Sequence, residues 1–229
     1  MARLSIVIPV YNESNTIEKL IKEVDLSPYE KEIIAVDDGS SDGSLDILEK
    51  IKNSNDVELK LFSHRQNQGK GAALMMGFKA VTGDIVIIQD ADMELDPSDY
   101  PILVEPILTG KAHIVYGSRF LLKRQRKPSL GYMGNRILTI MTNFMMNLSL
   151  TDMETGYKVF LKEVLDHINM RSKGFGFEPE FTCKVAKRGY KIKEVPISYS
   201  ARSYEEGKKI SWKDGIGALL TILYFRFFD

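Results

Sequence analysis

Two aspartates separated by one residue are the sharpest chemical feature of this sequence. Asp90-Ala91-Asp92 follows a run of four aliphatic residues, 85–88, which predicts a buried strand. A tight turn after that strand can place both carboxylates on one side, with Glu94 close behind. Mg²⁺ and Mn²⁺ prefer oxygen ligands and commonly bridge carboxylates and diphosphate oxygens. The spacing therefore predicts a metal site for a nucleotide diphosphate, although a solvated acidic turn is the simpler interpretation of the motif alone.

Polar residues also follow two other predicted strands. Asn12 and Glu13 come after the apolar run 4–10, and the segment 37–40 (Asp-Asp-Gly-Ser) comes after the run 33–36. A carboxylate in the second cluster can accept hydrogen bonds from a base or a ribose. The same residues also suit a turn and a helix N-cap, and the two roles are compatible.

A glycine-rich turn at 67–71 supplies a third candidate element. Its sequence, Asn-Gln-Gly-Lys-Gly, would expose backbone N–H groups at the start of a helix, and Lys70 adds a positive charge. The spacing differs from that of a P-loop, and the segment is a weak signal by itself. It predicts a phosphate contact only in combination with the acidic clusters.

Strand and helix patterns alternate through the first half of the chain. This alternation predicts a mostly parallel sheet covered by helices on both faces, the Rossmann-like α/β class. In such sheets ligands bind beyond the carboxyl ends of the strands, where the acidic and polar clusters lie. Predicted strands span 4–10, 33–36, 59–62, 85–88 and 114–116, and predicted helices follow Ser14 as N-cap, include 45–51 and span 71–80.

The second half predicts helices at 130–148, 178–188 and 211–228, with a strand at 190–199. The helix at 130–148 has a narrow polar stripe on a broad apolar surface, and the last helix ends in aromatic residues around Arg226. Both helices suit a chain that lies peripherally on a lipid surface. Packing on the sheet or on a second subunit, in a homo-oligomer, is the alternative. The polar stripe consists of Asn135, Thr139, Thr142, Asn143 and Asn147.

The charge distribution indicates an anionic partner. The chain has 31 basic and 31 acidic residues, but no Asp or Glu occurs from Pro106 to Thr151. An acid-free basic block favours an anionic ligand over a solvated loop. The block lacks the interleaved aromatic residues and the helix-turn-helix pattern of nucleic-acid-binding proteins, so no nucleic acid is expected. Its basic residues are Lys111, Arg119, Lys123, Arg124, Arg126, Lys127 and Arg136.

No segment of the sequence predicts secretion or a membrane span. The N-terminal residues run directly into the first strand. The longest apolar run, 216–228, is interrupted by Arg226 and falls short of the ~20 residues that a span needs. The single cysteine, Cys183, cannot form an internal disulfide. We therefore expect a cytoplasmic chain, with membrane contact on the cytoplasmic face of the bilayer.

Several motifs in a defined order resemble those of a known family. They read IPVYNE at 8–13, VDDGS at 36–40, NQGKG at 67–71, DAD at 90–92 and GSR at 117–119. Together they resemble family 2 glycosyltransferases of the GT-A fold. Two later motifs, TDMETGYK at 151–158 and EVPI at 194–197, are similar to those of the dolichyl-phosphate mannose synthase and polyprenyl-phosphate glucosyltransferase branch. The resemblance covers nearly the whole chain.

The resemblance implies an inverting, metal-dependent transfer of a hexose from UDP-glucose or GDP-mannose to a polyprenyl or dolichyl phosphate. Residues 1–118 would bind the nucleotide sugar and residues 119–229 the acceptor, within one domain, with Mg²⁺ or Mn²⁺ as cofactor. Glu94 stands where mannose synthases tend to have Gln, and the loop 202–209 is longer than the pattern of that branch, so the sugar and the loop lysine stay open. The implied roles are donor binding by Pro9, Tyr11, Glu13, Asp37, Asp38, Lys70, Asp90, Ala91, Arg202 and Lys208; metal binding by Asp90, Asp92 and Glu94; acceptor-phosphate binding by Arg119 and Arg136; and catalysis by Asp92, Asp152 and Arg119.

The chemistry of the acceptor decides the mechanism. A phosphate monoester has a second pKa of about 6, so it is already a dianionic nucleophile and needs positioning more than a general base. A sugar hydroxyl would need a carboxylate base, for which Asp152 and Glu180 are the candidates. A nucleotidyltransferase is disfavoured because segment 9–13 is not a Gly-rich phosphate loop. A non-catalytic nucleotide-sugar sensor has no support, since every expected charged position is filled.

Overall fold

The computed structural model describes residues 2–122, 130–201 and 212–228. Strands and helices alternate in the first half of the chain, as the sequence predicts. The strands are β1 (Leu4–Val10), β2 (Lys31–Asp37), β3 (Leu59–Ser63), β4 (Ile85–Ile88), β5 (Ile114–Ser118), β6 (Lys158–Leu161) and β7 (Ile192–Pro196). The helices are α1 (Ile17–Asp25), α2 (Ser44–Ser54), α3 (Lys70–Phe78), α4 (Tyr100–Leu108), α5 (Leu130–Met146), α6 (Val164–His167), α7 (Phe177–Lys187) and α8 (Trp212–Phe227), with a short 3₁₀ helix at Pro97–Asp99.

The strands of the described residues form one mixed sheet in the order β3-β2-β1-β4-β6-β5-β7. β6 is antiparallel to both β4 and β5, and the other neighbouring pairs are parallel. The predicted α/β class with a mostly parallel sheet is therefore confirmed, and β6 is the strand that the sequence pattern missed. Because β4 and β5 both oppose β6, they run in the same direction. The carboxyl ends of β1, β2, β4, β5 and β7 consequently meet at one edge of the sheet.

Helices cover both faces of the sheet and bury its central strands. Along β1, Ile6 and Ile8 pack with residues of α1 and α4, whereas the intervening Val7 packs with residues of α3 and α7. Successive side chains of a strand point to opposite faces, so an unbroken apolar run is what a doubly covered strand requires. This pattern holds the strand ends, and the loops that follow them, in a rigid frame.

Two helices differ from the sequence prediction for local reasons. α1 begins after Thr16 rather than after Ser14, because the Ser14 amide donates a hydrogen bond to Asp42 Oδ2 at 2.9 Å and so belongs to the preceding loop. α4 was missed because it contains Pro101 and Pro106, which usually mark helix boundaries. Its buried apolar residues nevertheless follow helical spacing, because they lie three, four and seven residues after the first one. They are Tyr100, Leu103, Val104 and Ile107.

The threonines of the polar stripe of α5 face the protein, and four apolar residues of α5 face outward. Thr139 is fully buried and accepts a hydrogen bond from the Met153 amide at 3.2 Å. Asn143 exchanges two hydrogen bonds with the backbone of Leu150, at 2.8 and 2.9 Å. α5 packs against α8, which also carries outward apolar residues. These residues, which we call the outer apolar surface, are Met133, Ile137, Ile140 and Phe144 of α5 and Ile216, Leu220, Tyr224 and Phe227 of α8, each 47–84% exposed.

The length and the hydropathy of a helix decide whether it can cross a membrane. Within the described parts of the chain, none of the helices combines the length and the apolar character needed to traverse a bilayer.

A buried carboxylate ties three strands together at the amino edge of the sheet. Glu32, fully buried in β2, accepts hydrogen bonds from Ser5 Oγ, from Lys60 Nζ at 2.5 Å, and from the amide and hydroxyl of Thr82 at 2.6 and 2.8 Å. Burial alone would raise its pKa, but these donors outweigh it and hold the pKa of Glu32 at about 2. The charged form of Glu32 is therefore the one that the fold stabilises.

We expect Glu32→Gln to lower the free energy of unfolding by about 3 kcal/mol, because it leaves Lys60 without its buried partner. A pKa depressed from 4.5 gives stability that is present above pH 4.5 and is lost as the pH falls towards 2. The wild-type chain should lose stability in that window more steeply than the variant. Urea denaturation between pH 3 and 7 measures both effects. Glu58→Gln, at the solvent-exposed pair with Arg3, is the control and should change stability by less than about 1 kcal/mol.

Candidate active site

The loops that follow β1, β2 and β4 contact one another at the carboxyl edge, as the sequence predicts. The Asn12 amide donates to Ser40 Oγ at 2.9 Å, and the Ser41 amide donates to Asn12 Oδ1 at 2.8 Å. Thr16 Oγ1 lies 3.0 Å from Glu13 Oε2 and donates to the carbonyl of Ala91 at 2.8 Å. These side-chain bonds join the three polar clusters into one surface. Of the predicted donor-site residues there, Glu13 and Ala91 are buried, Pro9 is half-buried and Tyr11 is 38% exposed.

The two aspartates after β2 have different surroundings. Asp38 is almost fully engaged within the protein: its carboxylate accepts from the amides of Gln68 and Gly69 at 3.0 and 2.7 Å and lies 2.6 Å from His64 Nδ1. Asp37 accepts the amides of Gly39 and Ser40 through Oδ2, while its buried Oδ1 has no hydrogen-bond partner among the described residues. Asp38 thus anchors the 67–71 turn, whereas one buried oxygen of Asp37 is left without a partner among the described residues.

Lys70, at the start of α3, lies between two carboxylates. Its Nζ is 2.7 Å from Asp90 Oδ1 and 2.8 Å from Glu178 Oε1, and the side chain is only 16% exposed. Burial disfavours the ammonium, but the two carboxylates outweigh it and raise the pKa of Lys70. Lys70 therefore carries a full positive charge beside the Asp90-x-Asp92 motif. Sequence reasoning missed Glu178, although a charged residue within the apolar start of α7 is the signal that marks it.

The loop between α5 and β6 closes over Asp90. A Cβ atom on Gly156 would lie 2.1 Å from Asp90 Oδ2, so only glycine permits this approach. The buried Lys158 holds the loop in place by donating to the carbonyls of Met153 and Thr155 at 3.1 and 2.6 Å. The antiparallel strand β6 thus brings the TDMETGYK motif against the metal-site candidate.

The candidate metal ligands lie on one loop, residues 89–95, which we call the donor-side loop. Asp92 Oδ1 accepts the Glu94 amide at 3.1 Å, and Glu94 Oε2 accepts the hydroxyl of Tyr199 at 2.9 Å. Asp90 is partly exposed and already contacts one cation, the ammonium of Lys70. Oxygen donors that hold an ammonium in this way also suit a hard divalent cation. Within the described ranges, no group of three or more His, Cys, Asp or Glu side chains is arranged to hold a metal by itself, so substrate oxygens would have to complete the shell.

Arg119, after β5, is held by a bidentate ion pair. Its Nε and Nη2 donate to the two oxygens of Asp152 at 2.7 and 2.8 Å, and its backbone amide donates to the same carboxylate at 3.1 Å. Asp152 is fully buried and also accepts Asn135 Nδ2 at 3.2 Å. The Asp152 carboxylate, despite the cost of burying Arg119, raises the pKa of the guanidinium. Asp152 therefore orients a fixed cation.

The remaining predicted residues divide into those near the Arg119 pair and those outside the described ranges. Arg136 Nη1 donates to the carbonyl of Thr151 at 3.3 Å, next to Asp152. Arg202 and Lys208 lie outside the described residues. Glu180, the other candidate base, is fully buried and accepts the amides of Arg171 and Ser172 at 2.8 and 2.6 Å, with Lys184 Nζ 2.9 Å away. Its oxygens support the 171–172 backbone.

Glu154 is a further carboxyl group that sequence reasoning missed. Its Oε1 is buried and has no hydrogen-bond partner among the described residues. Burial, followed by the negative charge of Glu178, raises the pKa of Glu154. Lys158 and Arg119 oppose this shift from the other side. Glu154 is therefore a weakly acidic group whose protonation is influenced by Glu178, Lys158 and Arg119.

Comparison with known proteins identifies the family. Residues 5–168 match the family model described as Glycosyl transferase family 2. The chain belongs to this family. It is a glycosyltransferase, as its motifs indicate.

Relatives and solved structures agree with this assignment. This glycosyltransferase is 29% identical to an undecaprenyl-phosphate mannosyltransferase of Micrococcus luteus, covering 90% of this chain and 87% of the relative. It is 29% identical to an undecaprenyl-phosphate 4-deoxy-4-formamido-L-arabinose transferase of Proteus mirabilis, covering 90% and 62%. Its fold is similar to glucosyl-3-phosphoglycerate synthase of Mycobacterium tuberculosis in complex with Mn²⁺, UDP and glucosyl-3-phosphoglycerate, with a TM-score of 0.74, 22% identity, and coverage of 98% and 80%. The GT-A fold is thereby confirmed.

We expect Gly156→Ala to weaken Mn²⁺-dependent nucleotide binding by about 10-fold or more, because the added methyl group would displace the Asp90 carboxylate. Isothermal titration with UDP and with GDP, each in the presence of Mn²⁺, measures the change. Gly215→Ala is the matched control, since a Cβ atom there meets nothing within 4 Å. Equal affinity in both variants, with both folded, would show that Asp90 does not depend on the close approach of Gly156.

Proposed function

We propose that this glycosyltransferase transfers a hexose from a nucleotide sugar to a polyprenyl phosphate, with inversion at the anomeric carbon. The observation that carries the proposal is Arg119, a guanidinium fixed by Asp152 beside the donor-side loop. A rigid cation at this position suits a phosphate acceptor. The names of the Micrococcus luteus and Proteus mirabilis relatives support the same class of acceptor.

In this proposal residues 1–118 bind the donor. The free Oδ1 of Asp37 accepts a hydrogen bond from the base or ribose, and Pro9, Tyr11 and Glu13 line the same pocket. Asp38 contributes by holding the 67–71 turn, and Lys70 places positive charge next to the diphosphate. Arg202 and Lys208 are proposed to contact the diphosphate from the acceptor half of the chain. UDP-glucose and GDP-mannose are both candidate donors.

Asp90, Asp92 and Glu94 would hold Mg²⁺ or Mn²⁺, and Ala91 would contact the donor. The metal would neutralise the negative charge that develops on the leaving diphosphate. The related M. tuberculosis enzyme has been crystallised with UDP and with either of these ions, which supports the choice of metal. Lys70 contributes a second positive charge on the same side without depending on the metal.

Residues 119–229 would bind the acceptor. A phosphate dianion attacks the anomeric carbon from the face opposite the diphosphate, while Arg119 and Arg136 hold its oxygens. No strong base is required for this nucleophile, because its second pKa is about 6. Asp152 serves the reaction by orienting Arg119, which is the arrangement that the bidentate contact favours.

The outer apolar surface is proposed to bring the enzyme to its lipid substrate as a peripheral protein on the cytoplasmic face of the membrane. Eight apolar side chains from α5 and α8 are exposed together, while the polar stripe of α5 is used inside the protein. A surface of this kind gains free energy by entering a lipid interface. Contact between two copies of the chain is the competing use of the same residues.

A second candidate function is transfer to a hydroxyl acceptor by the same fold. Glu154 is the observation that favours it, because a carboxyl group with a raised pKa and an unpartnered oxygen suits a general base. In that case Glu154, rather than Asp152 or Glu180, is the residue whose removal would abolish transfer.

The first test is sugar transfer with Mn²⁺ or Mg²⁺, comparing UDP-glucose and GDP-mannose with and without a short polyprenyl phosphate. We expect an organic-soluble product from one donor, reduced about 100-fold or more in Asp92→Ala and in Arg119→Ala. Arg188→Ala, an exposed arginine at the end of α7, is the control and should retain activity. Metal-dependent nucleotide binding without a lipid product would move the acceptor to a hydroxyl.

A second test addresses the outer apolar surface. Phe144→Ser and Phe227→Ser should each reduce binding to anionic phospholipid vesicles about 10-fold, since each removes a large exposed apolar side chain. Co-sedimentation with the vesicles measures the partition. Leu26→Ser, which is 82% exposed after α1 and outside this surface, is the control. Unchanged vesicle binding, together with loss of a dimer in sedimentation, would assign the surface to a subunit contact instead.

A further inference from the structure

Tyr199 follows β7 and contacts both sides of the site. Its hydroxyl donates to Glu94 Oε2 at 2.9 Å, and the guanidinium carbon of Arg119 lies 5.2 Å from the centroid of its ring. The neighbouring Ser200 amide donates to the Glu94 carbonyl at 3.1 Å, which adds a backbone connection to the same loop. One side chain therefore contacts the donor-side loop with its hydroxyl, and the acceptor-side cation with both its hydroxyl and its aromatic face.

The contacts of Tyr199 continue into the acceptor half. Arg119 is paired with Asp152, and Asp152 accepts a hydrogen bond from Asn135 on α5. A continuous series of packed or hydrogen-bonded groups thus runs from Glu94 to the helix that carries the outer apolar surface. Such a series can transmit a movement of Glu94 to α5, or the reverse, only if each contact in it is maintained. The Tyr199 contacts join the donor side to the acceptor side, in addition to the packing of Gly156 against Asp90.

The hydroxyl and the ring of Tyr199 act through different interactions. The hydroxyl restrains the Glu94 carboxylate, which lies two residues beyond Asp92, and also hydrogen-bonds with Arg119. The ring face attracts the Arg119 guanidinium and limits its movement, an interaction that phenylalanine would preserve. Removing the hydroxyl alone should therefore release Glu94 while leaving Arg119 one of its two contacts with Tyr199, and removing the ring as well should release both sides.

We propose that Tyr199 is a positioning residue that couples the two substrate sites, so that acceptor phosphate on Arg119 increases affinity for the nucleotide at the donor-side loop. This inference rests on the proposed function, since it takes Arg119 as the acceptor contact and the donor-side loop as the diphosphate contact. Couplings of this kind typically change affinity by roughly 5- to 150-fold. By linkage, the nucleotide must increase affinity for the acceptor by the same factor.

The test measures Mn²⁺-dependent binding of UDP and of GDP by titration calorimetry, with and without farnesyl phosphate. In the wild-type enzyme we expect farnesyl phosphate to tighten nucleotide binding at least about 5-fold. Tyr199→Phe should abolish this tightening and raise the KM for the lipid phosphate less than Tyr199→Leu does, because phenylalanine keeps the ring over Arg119. Tyr199→Leu should abolish it and also raise the KM for the lipid phosphate several-fold, because Arg119 loses the ring.

Tyr190→Phe is the matched control. It also removes a hydroxyl that is hydrogen-bonded, to His167 Nδ1 at 2.7 Å, but at the opposite edge of the sheet. A loss of coupling in Tyr190→Phe equal to that in Tyr199→Phe would overturn the inference, because the effect would then be a general loss of stability. Retained coupling in Tyr199→Phe would overturn it as well.

The outcomes separate this inference from the proposed function. Wild-type binding of a nucleotide with Mn²⁺ and transfer to the lipid phosphate, but no change in Tyr199→Phe, would overturn the inference alone. Transfer to a hydroxyl acceptor instead of the lipid phosphate would overturn the proposed acceptor. If farnesyl phosphate then leaves nucleotide affinity unchanged in the wild type, the coupling is overturned too.

Discussion

The ion contacts of Lys70 hold the donor side of the site together. Lys70 starts α3, Asp90 follows β4, and Glu178 lies in the first turn of α7, so one ammonium joins elements that are far apart in the sequence. Neither carboxylate is fully exposed, and without the ammonium two negative charges would face each other in a poorly solvated region. Gly156 packs against the same Asp90 carboxylate from the loop that precedes β6. The position of the Asp90-x-Asp92 motif therefore depends on one cation and one missing side chain.

Much of this arrangement could be predicted from the sequence, because strand ends in a parallel sheet converge. The bounds of β1 and β4, and the meeting of the 12–13, 37–40 and 90–92 segments, follow from apolar runs and from the residues after them. The contacts that complete the site could not be predicted in this way. β6 enters the sheet antiparallel, and Glu178 and Tyr199 reach the site from elements whose local patterns say nothing of their neighbours.

Residue type alone also cannot distinguish the surroundings of neighbouring groups at a crowded site. Asp37 and Asp38 are equivalent in the sequence, yet Asp38 binds the 67–71 turn and Asp37 keeps a free oxygen, because only Asp38 faces the amides of Gln68 and Gly69. The polar stripe of α5 shows the same limit. Asn143 and Thr139 bind the backbone at 150 and 153, and four apolar residues of the same helix are left outside.

The surroundings of Asp152 bear on the nature of the acceptor. A general base needs a carboxylate oxygen that is free to take a proton, whereas both oxygens of Asp152 accept charged hydrogen bonds from Arg119. Protonating Asp152 would break that pair and leave a buried guanidinium unpaired, at a cost of several kcal/mol. The pair is therefore better suited to presenting a fixed positive charge than to moving a proton. A nucleophile that arrives already ionised, such as a phosphate dianion, needs only the fixed positive charge. The surroundings of Asp152 therefore match a lipid phosphate better than a sugar hydroxyl.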